Sequence, residues 1–333
     1  HLCPPDIGIA TAKHIPHLYS VVHDKTVAVI DVGSNSIKLL VAAAALPHSP
    51  VEARFTETIE TRISAGISHA KPELTDRAMD AGSASIKELL RLAEKVDPIA
   101  IQIVATSAVR DAHNGMEFID RIKNETGHII QVLSGEQEAN YIGRGLTCDP
   151  QLQGLHNFLQ MDLGGGSLEL VRFANNTIEQ AVSLQLGSVR LSEAFLKDRD
   201  APLTSATQAQ ICEHVHRALS LAAFDFQPAD WPILMTGGAA TVTRAILAAR
   251  NNQAIDQISP RLELQTLSAL RTELSALPLH ERLSVPHLPA RRADILPVAL
   301  LTIETLLQFA GRDATTHSFY NLRYGVAREA LKT

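Results

Sequence analysis

The chain has 333 residues, 45% hydrophobic and 20% charged, with a formal net charge of −6 at pH 7. It is long enough for two packed domains, and the composition excludes a disordered chain. The acidic balance argues against non-specific binding to nucleic acid or to an acidic membrane surface, but still permits a polyanionic substrate held by a local cluster of cations and backbone N–H groups. Three scattered cysteines (Cys3, Cys148, Cys212) form no CxxC pair, which fits a reducing cytosol without structural zinc, so a cytoplasmic location is expected. No apolar run reaches the roughly 18 residues of a membrane helix. Residues 1–24 read as an N-terminal extension, because they carry Pro4 and Pro5 and lack both the basic start and the apolar centre of a signal peptide.

From there the predicted elements alternate. Val27–Asp31 and Ile37–Ala45 read as a strand pair, and Val51–Ile63 as a third antiparallel strand. Pro72–Glu94 has helical periodicity and Pro98 stops it. Ile99–Val104 and Ile129–Leu133 are continuous apolar runs of the doubly buried kind, separated by a helical pattern at Met116, Phe118, Ile119 and Ile122. A helix from about Glu136 to Leu146 follows, then a polar link at 147–156. The second half repeats the plan with strands at Asn157–Asp162, Ser167–Phe173 and Thr177–Leu184. Helices are expected at Val189–Leu196 and Ser205–Phe224, then a strand at Pro232–Met235 and a helix at Val242–Ala249. Helices at about Leu264–Ala276, Glu281–Ser284 and Arg292–Phe309 come next, and a short strand and helix within Ser318–Leu331 end the chain. The expected organisation is one domain over 25–146, a second over 147–311, and a terminal segment, 312–333, that returns to the first.

The second half contains the hairpin Asp162-Leu163-Gly164-Gly165-Gly166-Ser167-Leu168-Glu169-Leu170. Three consecutive glycines exceed what a plain turn requires and suit a backbone that approaches an anion closely. Asp31-Val32-Gly33-Ser34-Asn35-Ser36-Ile37-Lys38-Leu39-Leu40 has the same design in the first half. Two such turns, one per half, point to a duplicated fold with a ligand between the halves. The charged position differs: Lys38 suits a phosphate, Glu169 a metal or a water.

Two Asp-Gly-small-Ser hairpins followed by the Gly237-Gly238 turn resemble the actin, sugar-kinase and heat-shock ATPase superfamily. The resemblance implies a duplicated actin-like (ribonuclease H-like) α/β fold with its active site in the inter-domain cleft, and open and closed forms. More specifically, the two hairpins together with Ala105-Thr-Ser-Ala-Val-Arg-Asp-Ala, Ser134-Gly-Glu-Gln-Glu-Ala, Ser183-Leu-Gln-Leu-Gly-Ser-Val-Arg-Leu, Arg292-Ala-Asp-Ile-Leu-Pro and Leu322-Arg-Tyr-Gly resemble the exopolyphosphatase / guanosine pentaphosphate phosphohydrolase (Ppx/GppA) family in its short two-domain form. The motifs run in family order over roughly residues 26–331. Tyr324 stands where the family usually has an acid. Longer members carry a further helical domain, so chain binding contributed by that domain is expected to be absent.

The resemblance implies Mg²⁺-dependent hydrolysis of a terminal phosphoanhydride, with inorganic polyphosphate as the first substrate and guanosine pentaphosphate (pppGpp) as the alternative. Backbone N–H groups and hydroxyls of Gly33, Ser34, Asn35, Ser36, Gly164, Gly165, Gly166 and Ser167 are the expected phosphate grip. Arg110 is expected to face the phosphates, against the plainer alternative of a salt bridge with Asp111. Lys38 either reaches substrate or is an exposed strand lysine. Glu138, the second acid of Ser-Gly-x-x-Glu, is the expected general base, while Glu136 suits the first helical turn. An ordinary Glu is ionised near pH 7 and needs only placement. Asp162 and Glu169 are the expected ligands of Mg²⁺ or another divalent cation, and Asp31 either joins them or braces its turn. Sugar-kinase chemistry and a non-catalytic nucleotide receptor are the remaining alternatives. No nucleic-acid or membrane partner is expected, and a homodimer is left open.

Overall fold

The computed structural model describes residues 25–45, 49–175 and 177–332; the expected extension at 1–24 lies outside them. In the first half, β1 (Lys25–Val32), β2 (Ser36–Ala44) and β3 (Glu52–Glu60) form an antiparallel meander. Two further strands, β4 (Ala100–Ala105) and β5 (Ile130–Val132), add parallel to the other side of β1, giving the order β3-β2-β1-β4-β5. In the second half β6 (Phe158–Leu163), β7 (Leu168–Ala174) and β8 (Thr177–Leu184) repeat the meander. Here β9 (Ile233–Thr236) and β11 (Ala314–His317) take the places of β4 and β5, and β10 (Arg261–Glu263) adds an antiparallel edge. One five-strand order occurs twice, so the chain has the duplicated actin-like fold.

Strand parity decides what faces what, because successive side chains point to opposite faces. Ala28, Ile30 and Val32 of β1 join Leu39 and Val41 in the core under α1 (Asp76–Glu94) and α3 (Gly115–Thr126). Val27, Val29, Leu40 and Ala42 face the other way, towards α4 (Gly135–Leu146) and α11 (Leu322–Ala330). In the second sheet Leu159, Met161, Leu163, Leu168 and Leu170 join the large core built around the almost wholly buried α10 (Leu296–Phe309). Phe158 and Phe173 lie on the opposite face, stacked at 4.6 Å and packed against Leu146 of α4. Asp31 and Lys38 therefore share the α4 side of their sheet, and Asp162 and Glu169 share the α4 side of theirs.

The helix α4 lies between the two sheets and is close to both. A Cβ on Gly143 would touch Ile178 and Val171, one on Gly135 would strike Ser183 Cβ at 2.5 Å, and one on Gly145 would lie 2.0 Å from the Asn321 carbonyl oxygen. Ser134 caps the helix through a reciprocal box: Gln137 N donates to Ser134 Oγ at 3.1 Å, and Ser134 N donates to Gln137 Oε1 at 2.9 Å.

The structure also moves several expected boundaries. The helix expected from Pro72 starts at Asp76, behind Thr75, whose hydroxyl accepts from Ala78 N. The third strand ends at Glu60, and residues 61–75 are irregular. The helix expected from Arg292 starts at Leu296, because Pro297 is suited only to a first turn; Ala290–Arg292 form a separate 3-10 turn. The final strand lies at Ala314–His317, ahead of Ser318. No described helix is long and apolar enough to cross a membrane.

The α4–α11 crossing yields a stability prediction. A Cβ on Gly325 would lie 1.9 Å from the Tyr141 carbonyl oxygen, so both contacts are with backbone, which yields little. Gly145→Ala and Gly325→Ala should each destabilise the fold by about 1–3 kcal/mol. Urea unfolding checks this; unchanged midpoints would mean that the crossing has slack.

Candidate active site

The two turns have the same internal bond. Gly33 N donates to Ser36 O at 3.2 Å, and Gly164 N donates to Ser167 O at 3.0 Å. Their carbonyls are held from behind. Ser34 O accepts from Ser64 N and Oγ, and Asn35 O accepts from Thr61 N and Arg62 N. In the second turn Gly164 O accepts from Ser188 N at 3.0 Å. Gly165 O accepts from Val189 N and Arg190 N, the first turn of α5 (Ser188–Phe195). The N–H groups of Ser34, Asn35, Gly165 and Gly166 donate to no group among the described residues. Held carbonyls and uncommitted N–H groups make each turn an anion cradle.

The turns meet closely. A Cβ on Gly165 would lie 2.9 Å from Ser34 Cβ, and one on Gly166 would fall 2.2 Å from Ser107 Oγ and 2.7 Å from Ser34 Oγ. Those two hydroxyls are hydrogen-bonded to each other at 2.9 Å. Ser107 opens the short helix α2 (Ser107–Arg110), so β4 delivers a third group to the meeting of the turns.

A cavity of about 80 Å³ lies beneath them. Both turns, Asp31, Lys38, Glu138, Asp162 and Glu169 line it, as do Ser36 and Ser167. Four carboxylates thus share one cleft floor. Glu138 accepts from Arg110 Nη1 at 2.8 Å, Asp162 from Thr236 Oγ1 at 2.6 Å, and Glu169 from Ser183 Oγ at 2.7 Å. Burial raises the pKa of all four, against the opposing pull of these donors and of Lys38 and Arg323. Glu169 is pushed well up by burial and then by the charges of Glu138 and Asp162. Glu138 is pushed up to about 7 by burial, with Arg110 opposing. The expectation of an ordinary ionised Glu138 is therefore corrected: its proton is in play near neutrality. Burial lowers Lys38, with Asp31 opposing.

Every expected site residue falls in or beside this cleft, with two qualifications. Gly166 is packed against the serines and does not line the cavity. Arg110 sits behind Glu138, donating to it and to Leu133 O, with Asp111 at 3.5 Å. Glu136 is exposed in the first turn of α4, whereas Glu138 is buried.

Other residues, not expected from the sequence, join the halves. Arg190 donates to Gly166 O at 2.8 Å and Ile67 O at 2.7 Å, and pairs with Asp111. Arg62, in a left-handed backbone conformation (φ 47°), makes a two-pronged bond to Asp294 at 2.7 Å on each arm. Arg292 pairs with Glu60 at 2.9 Å, and Glu193 accepts from Gly66 N and Ser68 N. Arg190 lies in the Ser183–Leu191 motif and Arg292 opens the Arg292–Pro297 motif, so motif membership was the available signal; for Arg62 there was none.

Gly166→Ala should separate the two turns, because its methyl would displace the Ser34–Ser107 pair. Orthophosphate binding should weaken by about tenfold or more, the loss of at least one charge-assisted bond, while far-UV circular dichroism stays unchanged. Calorimetry checks this; unaltered binding would remove the paired cradle.

Residues 40–333 match the Ppx/GppA phosphatase family. The chain is 26% identical to an exopolyphosphatase from Cytophaga hutchinsonii, a match covering 92% of this chain and 97% of that one with a TM-score of 0.82. It is 25% identical to the Aquifex aeolicus PPX-GPPA enzyme, over 92% of this chain and 99% of that one, with a TM-score of 0.74. The turn-to-turn cradle and the single cleft thus occur in a chain that belongs to the Ppx/GppA phosphatase family.

Proposed function

We propose that the protein is an exopolyphosphatase, which hydrolyses the terminal phosphoanhydride of inorganic polyphosphate and releases orthophosphate. The observation that carries this reading is the pair of uncommitted N–H cradles meeting over a buried Glu138. The similar exopolyphosphatase from Cytophaga hutchinsonii supports the choice of substrate. The same reacting end occurs in pppGpp, which is the alternative.

Phosphoanhydride hydrolysis depends on positioning and charge stabilisation, because transition-state charge spreads over phosphoryl oxygens. The N–H groups of Ser34, Asn35 and Gly165, with the hydroxyls of Ser36 and Ser167, hold the terminal phosphate from two sides. Glu138 Oε1, the oxygen that Arg110 does not hold, orients the attacking water and takes its proton. Arg110 fixes the carboxylate's orientation and steadies its charge.

Among the described residues no group of three or more His, Cys, Asp or Glu is set to hold a metal by protein ligands alone. Mg²⁺ is suited to one or two carboxylates completed by waters and substrate phosphate. The oxygen-only donor set and the crowded acids fit that ion. Asp162 and Glu169 would hold it, where it would offset phosphate charge and polarise the scissile bond.

Glu138→Gln should lower turnover about a hundredfold to ten-thousandfold. Because Glu138 must be ionised to accept a proton, and its pKa is raised to about 7, kcat/KM should rise with pH through that value. A profile flat across neutrality would remove Glu138 as the base. Glu169→Ala should raise the Mg²⁺ requirement about tenfold or more; an unchanged metal titration would count against that ligand. Phosphate release from polyphosphate and from pppGpp, measured side by side, decides between substrates: faster release from pppGpp would overturn the first reading.

A further inference from the structure

Asn35 of the first turn is tied to the second half of the chain through Glu60, Thr61 and Arg62, consecutive residues at the end of β3. Glu60 accepts from Asn35 Nδ2 at 2.6 Å and from Arg292 Nε at 2.9 Å. Thr61 N donates to Asn35 O at 3.1 Å, and Thr61 O accepts from Arg291 Nη1 at 2.9 Å. Arg62 donates to Asn35 O from its backbone N at 2.9 Å and to Asn35 Oδ1 from Nε at 3.0 Å. Its two outer nitrogens reach Asp294 at 2.7 Å each, and Nη2 also donates to Arg291 O. Each of these residues thus holds Asn35 on one side and the segment 291–294 on the other.

The bonds use both polar side-chain atoms of Asn35 and its carbonyl, and leave its backbone N–H to the cradle. The Arg62–Asp294 pair is largely enclosed, with side chains 20% and 10% exposed. A two-pronged guanidinium–carboxylate bond fixes direction as well as distance. Arg62 also keeps its left-handed backbone (φ 47°), which a residue other than glycine holds only where its surroundings over-determine it. Backbone outliers of this kind gather at ligand clamps, and this one stands between an anion cradle and the opposite half. The contact at Glu193 is different: it accepts from Gly66 N and Ser68 N, neither of which bonds to the first turn among the described residues.

We infer that Arg62 and Asp294 are positioning residues for the first cradle: Asp294 aims Arg62, and Arg62 sets the angle at which Asn35 presents its N–H to a phosphate. The inference rests on the phosphohydrolase reading of the cleft and of its turns. Asn35 lines the cleft, whereas Arg62 and Asp294 do not, so both act through Asn35. The second half thereby sets the donor geometry of the first.

Calorimetry with orthophosphate reads the cradle without depending on turnover. Arg62→Gln and Asp294→Asn should each weaken binding about tenfold, the misalignment of one donor to an anion. The double variant should lose no more than the worse single one, because Asp294 acts through Arg62. Glu193→Gln, which alters a contact between the halves that bypasses Asn35, should leave orthophosphate affinity unchanged. In Asp294→Asn the side-chain amide resonances of Asn35 should move, although the connection runs through Arg62. If Arg62→Gln does not fold, Arg62→Lys keeps the charge, loses the fork and gives the same comparison. Losses that add in the double variant, an equal loss in Glu193→Gln, or unchanged binding in the Arg62 variant would overturn the inference. So would a wild-type protein that binds no orthophosphate, whatever phosphate it releases from polyphosphate. A protein that shows the expected binding pattern but releases no phosphate from polyphosphate would lose the hydrolase reading and keep the positioning role.

Discussion

Where the Gly164–Ser167 turn meets Ser34 and Ser107 there is no room for a side chain, and the rest of the site depends on that contact. The approach brings two sets of uncommitted N–H groups to one place, each turned outward because its carbonyls are held from behind. Neither turn could do this alone, since one cradle grips an anion from a single side. The duplicated sheet supplies the second turn, and strand parity supplies the acids. Asp31 pairs with Lys38 and Asp162 with Glu169 at equivalent places in the two hairpins. A slip of one residue in either register would turn its charged pair into the core.

Between the sheets, α4 carries Glu138 into the space the parity creates. Its narrow glycine contacts with β8 and with the start of α11 fix that placement. Four carboxylates on one buried floor repel one another, and burial raises them all. The arrangement stores a demand for positive charge that Arg110 meets for Glu138 alone. A divalent ion held by Asp162 and Glu169, as proposed, would answer the remainder.

Much of this was legible in the sequence. The Asp-Gly-small-Ser repeat gave both turns, and the family resemblance at Ser134-Gly-Glu-Gln-Glu separated Glu138, which is buried, from Glu136, which is exposed. The pKa of Glu138 was not legible, because it arises from enclosure between two sheets far apart in the chain. Arg62 was invisible for a similar reason: its partner Asp294 is distant in sequence, and nothing local marks it. Arg323 stood inside the Leu322-Arg-Tyr-Gly motif, but its burial and its bond to Leu39 O depend on where α11 returns. The short β10 and β11 escaped because three or four residues show too little alternation.

The central claim is that a water activated at Glu138 attacks a terminal phosphate held between the two turns. Single-turnover hydrolysis of polyphosphate in heavy-oxygen water tests it most directly. The account predicts one solvent oxygen in each orthophosphate released, with release suppressed in Glu138→Gln. Phosphate released without solvent oxygen, or at an undiminished rate in Glu138→Gln, would contradict it.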